Sequence, residues 1–165
     1  VNGRKYKKYK KNFIIPDIQA NFWDGDPDVD AVCRMIFRPE CKFDKKYFPF
    51  YSKKISPFNS QNTLITRKAV KDYFLFPHIG RMDDIWASFY IQSLGYNVVY
   101  SKSTVYQKRN AHNLINDFKQ ENIGYENSFN LLNNLKKKSH SIKDFLPKRS
   151  FQAFVEWKKI IKQIS

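Results

Sequence analysis

Two adjacent carboxylates, Asp83 and Asp84, stand at the start of a predicted helix that runs to Leu94. Apolar residues recur along this segment at spacings of three and four, which predicts one broad buried face. The partial positive charge at a helix start favours ionised carboxylates, and a carboxylate on a rigid helix can act as a general base on a hydroxyl group. Helix capping alone also explains the pair. Arg81, beside it, could form an ion pair or contact an anion.

A second acidic group places a carboxylate at every second position from residue 24 to residue 30. Oxygen ligands at this spacing suit a hard cation, but a calcium loop needs a glycine and a glutamate where Val29 and Met35 stand. A zinc site is excluded because Cys33 is the only sulfur or imidazole ligand nearby. Two interpretations stay open: a solvated loop that caps a helix, or one or two carboxylates facing a polar ligand such as a sugar.

A third polar group follows a predicted strand and precedes a predicted helix. It consists of Gln107, Arg109, Asn110 and His112. The ends of strands are where α/β folds bind ligands, so this segment is a candidate for substrate contact. A single histidine such as His112 is more often a helix cap or a surface residue than a ligand.

The net charge of +15 is concentrated at the two ends of the 165-residue chain. Residues 1–12 carry +6 and residues 108–165 carry +7, whereas residues 13–107 are nearly neutral. A nucleic-acid reader more often has its basic residues inside the fold, so nucleic acid is an unexpected partner and weak contact with an anionic membrane is the better match. With two cysteines and no apolar run of about 18 residues, the sequence predicts a cytoplasmic protein without a spanning helix.

The predicted elements form a small sheet with helices packed on it. A helix is predicted to begin at Asp26-Pro27, because a carboxylate cap followed by proline is typical of helix starts, and to turn four apolar residues to the core. These are Ala31, Val32, Met35 and Ile36. The other predicted elements are an extended piece at 13–23, a structured loop at 37–58, strands at 59–65, 96–100 and 104–107, a turn at 101–103, a Thr66-capped helix at 67–74, helical segments from 113 with a break near Gly124, and a helix at 150–164.

Three stretches fall into one pattern: WDGDPDVDAV, FNSQNTLITRKAV and IGRMDDIWASFYIQSLG. Their order and spacing resemble the reversibly glycosylated polypeptides, the UDP-arabinopyranose mutase family. The third stretch is the most specific, since Gly-Arg-x-Asp-Asp-x-Trp matches almost position for position. The plant STELLO glycosyltransferase-like proteins share the same layout. The resemblance covers about residues 4–110.

The resemblance implies an α/β fold of the GT-A glycosyltransferase type. The donor-binding half of that fold has an apolar strand that ends in Asp-x-Asp. The aspartates of this sequence follow Asn21-Phe22-Trp23 instead, so we expect that motif to be absent. The chain therefore resembles the acceptor-side, C-terminal half, with one sheet edge or face left exposed for the missing half. We expect a basic segment at 1–12, a half domain with a small mixed sheet at 13–112, and a helical extension at 113–165.

The resemblance also implies roles for individual residues. Asp83 and Asp84 match the acidic pair at the sugar site and are the expected catalytic residues, with Trp86 packed behind them. Arg4 falls where the family has a self-glycosylated arginine. The residues expected to bind substrate are Trp23, Asp28, Asp30, Asn62, Arg81, Trp86, Arg4, Tyr6, Gln107 and Arg109.

The chain departs from the family at three positions. Lys7 and Lys11 replace a proline and a second arginine, and Gln107 stands where the family has a histidine, with His112 five residues later. These departures favour plain glycosyl transfer over mutase chemistry.

We therefore expect a glycosyltransferase that uses a nucleotide-sugar, most simply a UDP-sugar, and a carbohydrate or glycoconjugate acceptor. The expected cofactor is Mn²⁺ or Mg²⁺, with His112 as one ligand and most others outside this chain. Two alternatives stay open: a basic module that binds nucleic acid or an anionic membrane, and a UDP-sugar mutase.

Overall fold

The computed structural model describes residues 15–137 and 141–164 as a mixed α/β fold. The strands are β1 (Ile18–Gly25), β2 (Phe50–Tyr51), β3 (Thr63–Ile65) and β4 (Val98–Gln107). The helices are α1 (Ala31–Ile36), α2 (Arg67–Val70), α3 (Asp83–Ser93), α4 (Leu114–Leu135) and α5 (Lys148–Ile164), with short 3-10 turns at Lys45–Tyr47, Gly80–Met82 and Lys143–Phe145. The predicted segment 1–12 lies outside the described residues.

The four strands form one mixed sheet in the order β2-β4-β1-β3. The central strands β1 and β4 are parallel, with Ile18 opposite Val98 and Gly25 opposite Gln107, while the two short edge strands are antiparallel. Because parallel strands end at the same edge of a sheet, the loops at 26–30 and 108–113 emerge side by side.

The strand β4 is continuous, so the predicted turn at 101–103 is wrong. Asn21 pairs with Ser101 but Trp23 pairs with Val105, which leaves extra residues of β4 opposite Phe22. This irregular stretch is a bulge, and a bulge lets a strand continue through residues that do not pair. The residues of the bulge are polar, as turn residues usually are, and this is why the sequence predicted a turn there.

The start of α1 also differs from the sequence prediction. Asp30, not Asp26, caps this helix, its carboxylate accepting a hydrogen bond from Cys33 N at 2.9 Å. Asp26 remains extended because its N–H donates to Gln107 O at 2.9 Å, which prolongs the pairing of β1 with β4. Of the four apolar residues expected in the core, only Ala31 is buried; Val32, Met35 and Ile36 are exposed.

Helix α3 lies between two hydrophobic clusters, as its predicted broad buried face requires. Trp86 and Phe89 pack with residues of α4 and α5, including Leu131, Leu135 and Phe154. Ile91 packs on the opposite side, against Ile18, Ala20, Val98 and Tyr100 of the sheet. This burial holds the helix that begins with Asp83 and Asp84 in a fixed position.

Helix α4 runs through Gly124 without the predicted break. A Cβ atom at Gly124 would lie 2.5 Å from Met82 Sδ, and one at Gly80 would lie 2.1 Å from the backbone oxygen of Gln120. The turn at Gly80–Met82 therefore lies directly against α4. The second predicted cap is confirmed, since Thr66 Oγ1 accepts from Ala69 N at 3.3 Å, although α2 ends at Val70.

Glycines at 80 and 95 offer a matched pair of substitutions. Both have positive φ, +60° and +91°, but a Cβ at Gly95 meets no atom within 4 Å. We expect Gly95→Ala to lower the free energy of unfolding by about 1 kcal/mol, from backbone strain alone. Gly80→Ala adds a clash with backbone and should lower it by about 3 kcal/mol or more. Urea denaturation measures both, and equal losses would contradict the close packing of this turn on α4.

Candidate active site

The polar side chains of the site gather where β1 and β4 end and where α3 and α4 begin. We call this group the edge site. It comprises the carboxylates of Asp28, Asp83, Asp84, Asp117 and Glu121 and the guanidinium groups of Arg81 and Arg109. Five carboxylates facing two arginines make this edge negative on a chain whose net charge is +15.

Glu121 is the most deeply buried member, with its side chain 7% exposed. Its Oε2 accepts hydrogen bonds from Ala31 N and from the Tyr125 hydroxyl, both at 2.8 Å, and its Oε1 accepts from Arg81 Nε at 3.0 Å. A buried charge needs such partners to offset the loss of water. One carboxylate thus joins α4, the first residue of α1 and the turn before α3.

Arg81 is surrounded by three carboxylates. Besides the bond to Glu121, its Nη2 lies 3.6 Å from Asp28 Oδ1 and its Nη1 lies 3.6 Å from Asp117 Oδ1. Of the two roles predicted for Arg81, an ion pair with the adjacent acidic pair or contact with an anion, the first is wrong, because Arg81 pairs with residues far away in sequence. The guanidinium is about one quarter exposed, so it can still meet a ligand.

Asp28 connects the segments that are separate in sequence. One oxygen pairs with Arg109 Nη1, and the other accepts from Gln61 Nε2 at 2.9 Å. The neighbouring carboxylate, Asp30, caps α1, is exposed and interacts with the Tyr125 hydroxyl. Of the two predicted Pro-Asp-x-Asp carboxylates, Asp28 is the one that pairs with the arginines of the edge site.

Asp84 is held by the segment that contains Gln61. Its Oδ2 accepts from Ser60 N at 2.8 Å and from Ser60 Oγ at 3.2 Å. Burial raises the pKa of Asp84 above its ordinary value, and the negative charges of Asp83 and Asp28 act in the same direction, against the lowering effect of the Ser60 hydrogen bonds.

The side chain of Asp83 makes no hydrogen bond or ion pair with any residue in 15–137 or 141–164. Behind the acidic pair lies Tyr73, whose phenol has its pKa raised by burial and by the charges of Asp84 and Asp83. The Tyr73 hydroxyl is buried and finds no hydrogen-bond partner within the described part of the chain. Asp83 is thus a half-buried carboxylate whose oxygens are free to accept bonds from a ligand.

Three of the predicted site residues make contacts that belong to the sheet or the core. Asn62 donates to Phe22 O at 3.0 Å and to Thr104 Oγ1 at 2.9 Å, so it holds the bulge of β4 against β1. Trp86 is fully buried and donates to Ser128 Oγ at 2.9 Å, behind the acidic pair and out of reach of a ligand. Trp23 pairs with Val105 in the sheet, and its indole N–H is buried without a partner among the described residues.

Gln107 and Arg109 line a groove of about 270 Å³ next to the edge site. The other residues along it are Asp26, Arg38, Pro39, Glu40, Tyr106 and Lys108. The groove is lined by acidic side chains, by basic side chains and by one exposed aromatic ring, that of Tyr106. The last two predicted site residues, Arg4 and Tyr6, lie outside the described residues.

The fit of a divalent cation can be tested on the histidine predicted as its ligand. His112 Nδ1 lies 3.1 Å from Asp117 Oδ2, so this pair could supply two ligands. The nearby carboxylates of Asp28 and Glu121 are engaged by arginines, and the described residues contain no group of three or more side chains able to hold a metal ion. On their own, these residues do not fit Mn²⁺ or Mg²⁺.

The sequence prediction missed Asp117 and Glu121. Both lie on the same side of α4 as Gly124, Leu131 and Leu135, which are buried. An acidic residue that recurs in phase with a buried helix face indicates a paired charge. That signal was present in the sequence.

No protein-family model matches this sequence, and no curated protein is significantly similar to it. Among the described residues, no helix has the length and apolar character needed to cross a membrane. Both cysteines, Cys33 and Cys41, are free thiols.

The role of Glu121 can be tested against a second glutamate on the same helix. Glu121→Gln removes the charge that faces Arg81 and places an amide N–H₂ among hydrogen-bond donors, so we expect the free energy of unfolding to fall by about 3 kcal/mol. Glu126→Gln alters an exposed residue and should change it by less than about 0.5 kcal/mol. Chemical denaturation followed by circular dichroism gives both values. Equal stability of the two variants would show that Glu121 does not organise the edge.

Proposed function

We propose that this chain is the acceptor-side half of a GT-A-type glycosyltransferase that uses a nucleotide-sugar, most simply a UDP-sugar. One observation carries the proposal: the three stretches that resemble the reversibly glycosylated polypeptides meet at the edge site. Gln61 of the second stretch bonds to Asp28 of the first, and Ser60 bonds to Asp84 of the third. Segments that only shared a sequence pattern thus contribute to one polar surface.

The proposed chemistry uses the acidic pair. A carboxylate with a raised pKa is a stronger base, closer to the working pH, than an ordinary aspartate. Asp84 would accept the proton of the acceptor hydroxyl, whose oxygen then forms a bond to the anomeric carbon of the sugar. The bond from that carbon to the nucleoside diphosphate breaks, and the electron pair leaves with the diphosphate. Asp83, with both oxygens free of bonds to described residues, would orient sugar hydroxyls.

In this proposal the two arginines position the carboxylates of the edge site. Arg109 and Arg81 hold Asp28, and Glu121 holds Arg81. Fixed acceptors and donors of this kind orient sugar hydroxyls before reaction. When bound, Mn²⁺ or Mg²⁺ would neutralise the diphosphate, and we propose that its ligands lie mostly outside this chain, with His112 at most a contributor.

The groove beside Arg109 supports the placement of an acceptor carbohydrate next to the acidic pair. Mixed charge and one exposed aromatic ring are features that bind sugars through hydrogen bonds and ring contact. We propose a carbohydrate or glycoconjugate acceptor and a cytoplasmic protein that can touch an anionic membrane through its basic ends.

The basic ends favour one second candidate, a module that binds an anionic membrane or, less readily, nucleic acid. This alternative rests on the net charges of +6 in residues 1–12 and +7 in residues 108–165. It predicts affinity that falls steeply with salt. A UDP-sugar mutase is the related alternative, and analysis of the products distinguishes it from a transferase.

The acidic pair provides the direct test, made in the protein that contains this chain. We expect Asp84→Asn to reduce glycosyl transfer by about 10²-fold or more, because the amide cannot accept the proton. Asp144→Asn, a change at an exposed acid in the turn before α5, should leave turnover unchanged.

The stability of the same variant separates catalysis from capping. Folding raises the pKa of Asp84, so its contribution to stability is complete below the unfolded pKa and is lost as the pH rises through the folded pKa. At pH 7, Asp84→Asn should therefore keep or raise the free energy of unfolding. A clear loss of stability with no separate defect in turnover would identify Asp84 as a helix cap.

The 165-residue chain alone should bind donor poorly. Strand β1 ends in an Asp-x-Asp, but both carboxylates are engaged within the chain: Asp24 accepts a hydrogen bond from Phe43 N at 2.9 Å, and Asp26 pairs with Arg34. Isothermal titration with UDP-glucose and Mn²⁺ should give a Kd weaker than about 1 mM, or no heat of binding. Micromolar binding would place the donor site within these residues and contradict the proposed half.

A further inference from the structure

Helix α4 carries an exposed apolar surface that the edge site does not use. We call it the α4 stripe: Ile115, Phe118, Tyr125 and Phe129, with Asn122 at its centre. Ile115 is 60% exposed and Phe129 is 74% exposed, although both are large apolar side chains. The rings of Phe118 and Tyr125 lie along the stripe with centroids 6.0 Å apart. A continuous apolar row of this kind indicates an interaction surface.

The spacing of the stripe identifies a helix as its partner. Its members recur at intervals of three, four, three and four residues, which is the a and d pattern of helices that pack side by side. The neighbouring side of α4, about a third of a turn around the helix, faces the core and contains Leu131 and Leu135. The stripe is therefore a second, unpartnered seam on a helix that is already packed on one side.

The stripe can also pack against a second copy of itself. Written as a heptad, Ile115, Asn122 and Phe129 are a positions, and Phe118 and Tyr125 are d positions. In an antiparallel pair of helices a positions face d positions, so Phe118 of one copy would face Phe129 of the other, and Asn122 would face Tyr125. Such a self-complementary arrangement is what a two-fold dimer requires.

The charges beside the stripe agree with this arrangement. Lys119 and Glu126 occupy equivalent flanking positions, each four residues after an a position. In an antiparallel pair, Lys119 of one copy lies opposite Glu126 of the other, twice by symmetry. Lys119 has no ion pair within the described residues, so its charge is available.

We propose that this chain forms a two-fold dimer through the α4 stripe, with the two α4 helices antiparallel. Val32 and Met35 are also exposed, on α1, a helix that packs against α4. The dimer goes beyond the proposed function and does not depend on it. Tyr125 belongs to the stripe and also donates a hydrogen bond to Glu121, so the dimer interface would lie next to the edge site.

Sedimentation of the 165-residue chain tests the proposal. We expect the chain to be mostly dimeric at about 100 µM, a concentration at which interfaces of modest affinity are occupied. Phe129→Glu should weaken the dimer by at least about 100-fold, because the change removes buried apolar area from both copies. Ile160→Glu, at an exposed apolar residue of α5, should leave the dimer unchanged.

Charge exchange tests the antiparallel geometry. Lys119→Glu and Glu126→Lys should each weaken the dimer by about tenfold, since each creates two like-charge pairs. The double variant should restore the original affinity, and circular dichroism confirms that every variant is folded. The proposal is overturned by a chain that stays monomeric at about 100 µM, by a Phe129→Glu variant that dimerises as before, or by a double variant that fails to recover.

Discussion

A buried glutamate on α4 holds together parts of the chain that are far apart in sequence. Glu121 accepts hydrogen bonds from the first residue of α1, from Arg81 ahead of α3 and from Tyr125 on its own helix. A carboxylate removed from water is stable only with such partners, so each of the three segments has one permitted position relative to α4. Arg81 in turn faces Asp28 and Asp117, and Asp28 orders Arg109 and Gln61.

The parallel pair of β1 and β4 decides where this network can form. Both strands end at one edge of the sheet, and each is followed by a polar loop that leads into a helix. The result is a negative edge on a strongly basic chain. Burial, reinforced by the negative charges of Asp83 and Asp28, raises the pKa of Asp84. The two arginines offset the charges of Asp28, Asp117 and Glu121.

The sequence predicted what depends on local periodicity. The apolar spacing of α3, the cap at Thr66 and the final helix were found, because their signals lie within a few residues. The start at Asp26 was wrong because Asp26 bonds to Gln107, a residue 81 positions away, which overrides a valid local cap signal. The predicted turn at 101–103 was wrong because Asn62, in the turn before β3, holds that bulge against β1.

The same division applies to the site. The structure brings together the residues at 28, 81, 83, 84 and 109 that the sequence singled out, but their pairings could not be predicted from the sequence. Arg81 pairs across the fold rather than with its neighbours, since the partners come from α4 and from the loop after β1. Pairing of this kind depends on which elements meet, and that follows only from the whole fold.

The glycine contacts beneath the site restrict how it can move. Gly80 lies against the backbone of Gln120, and Gly124 makes room for Met82, so the turn before α3 packs directly on the middle of α4. Asp83 and Asp84 follow this turn, and Asp28 is held by Arg109. A ligand would therefore meet carboxylates that are already in place, and little reorganisation would accompany its binding.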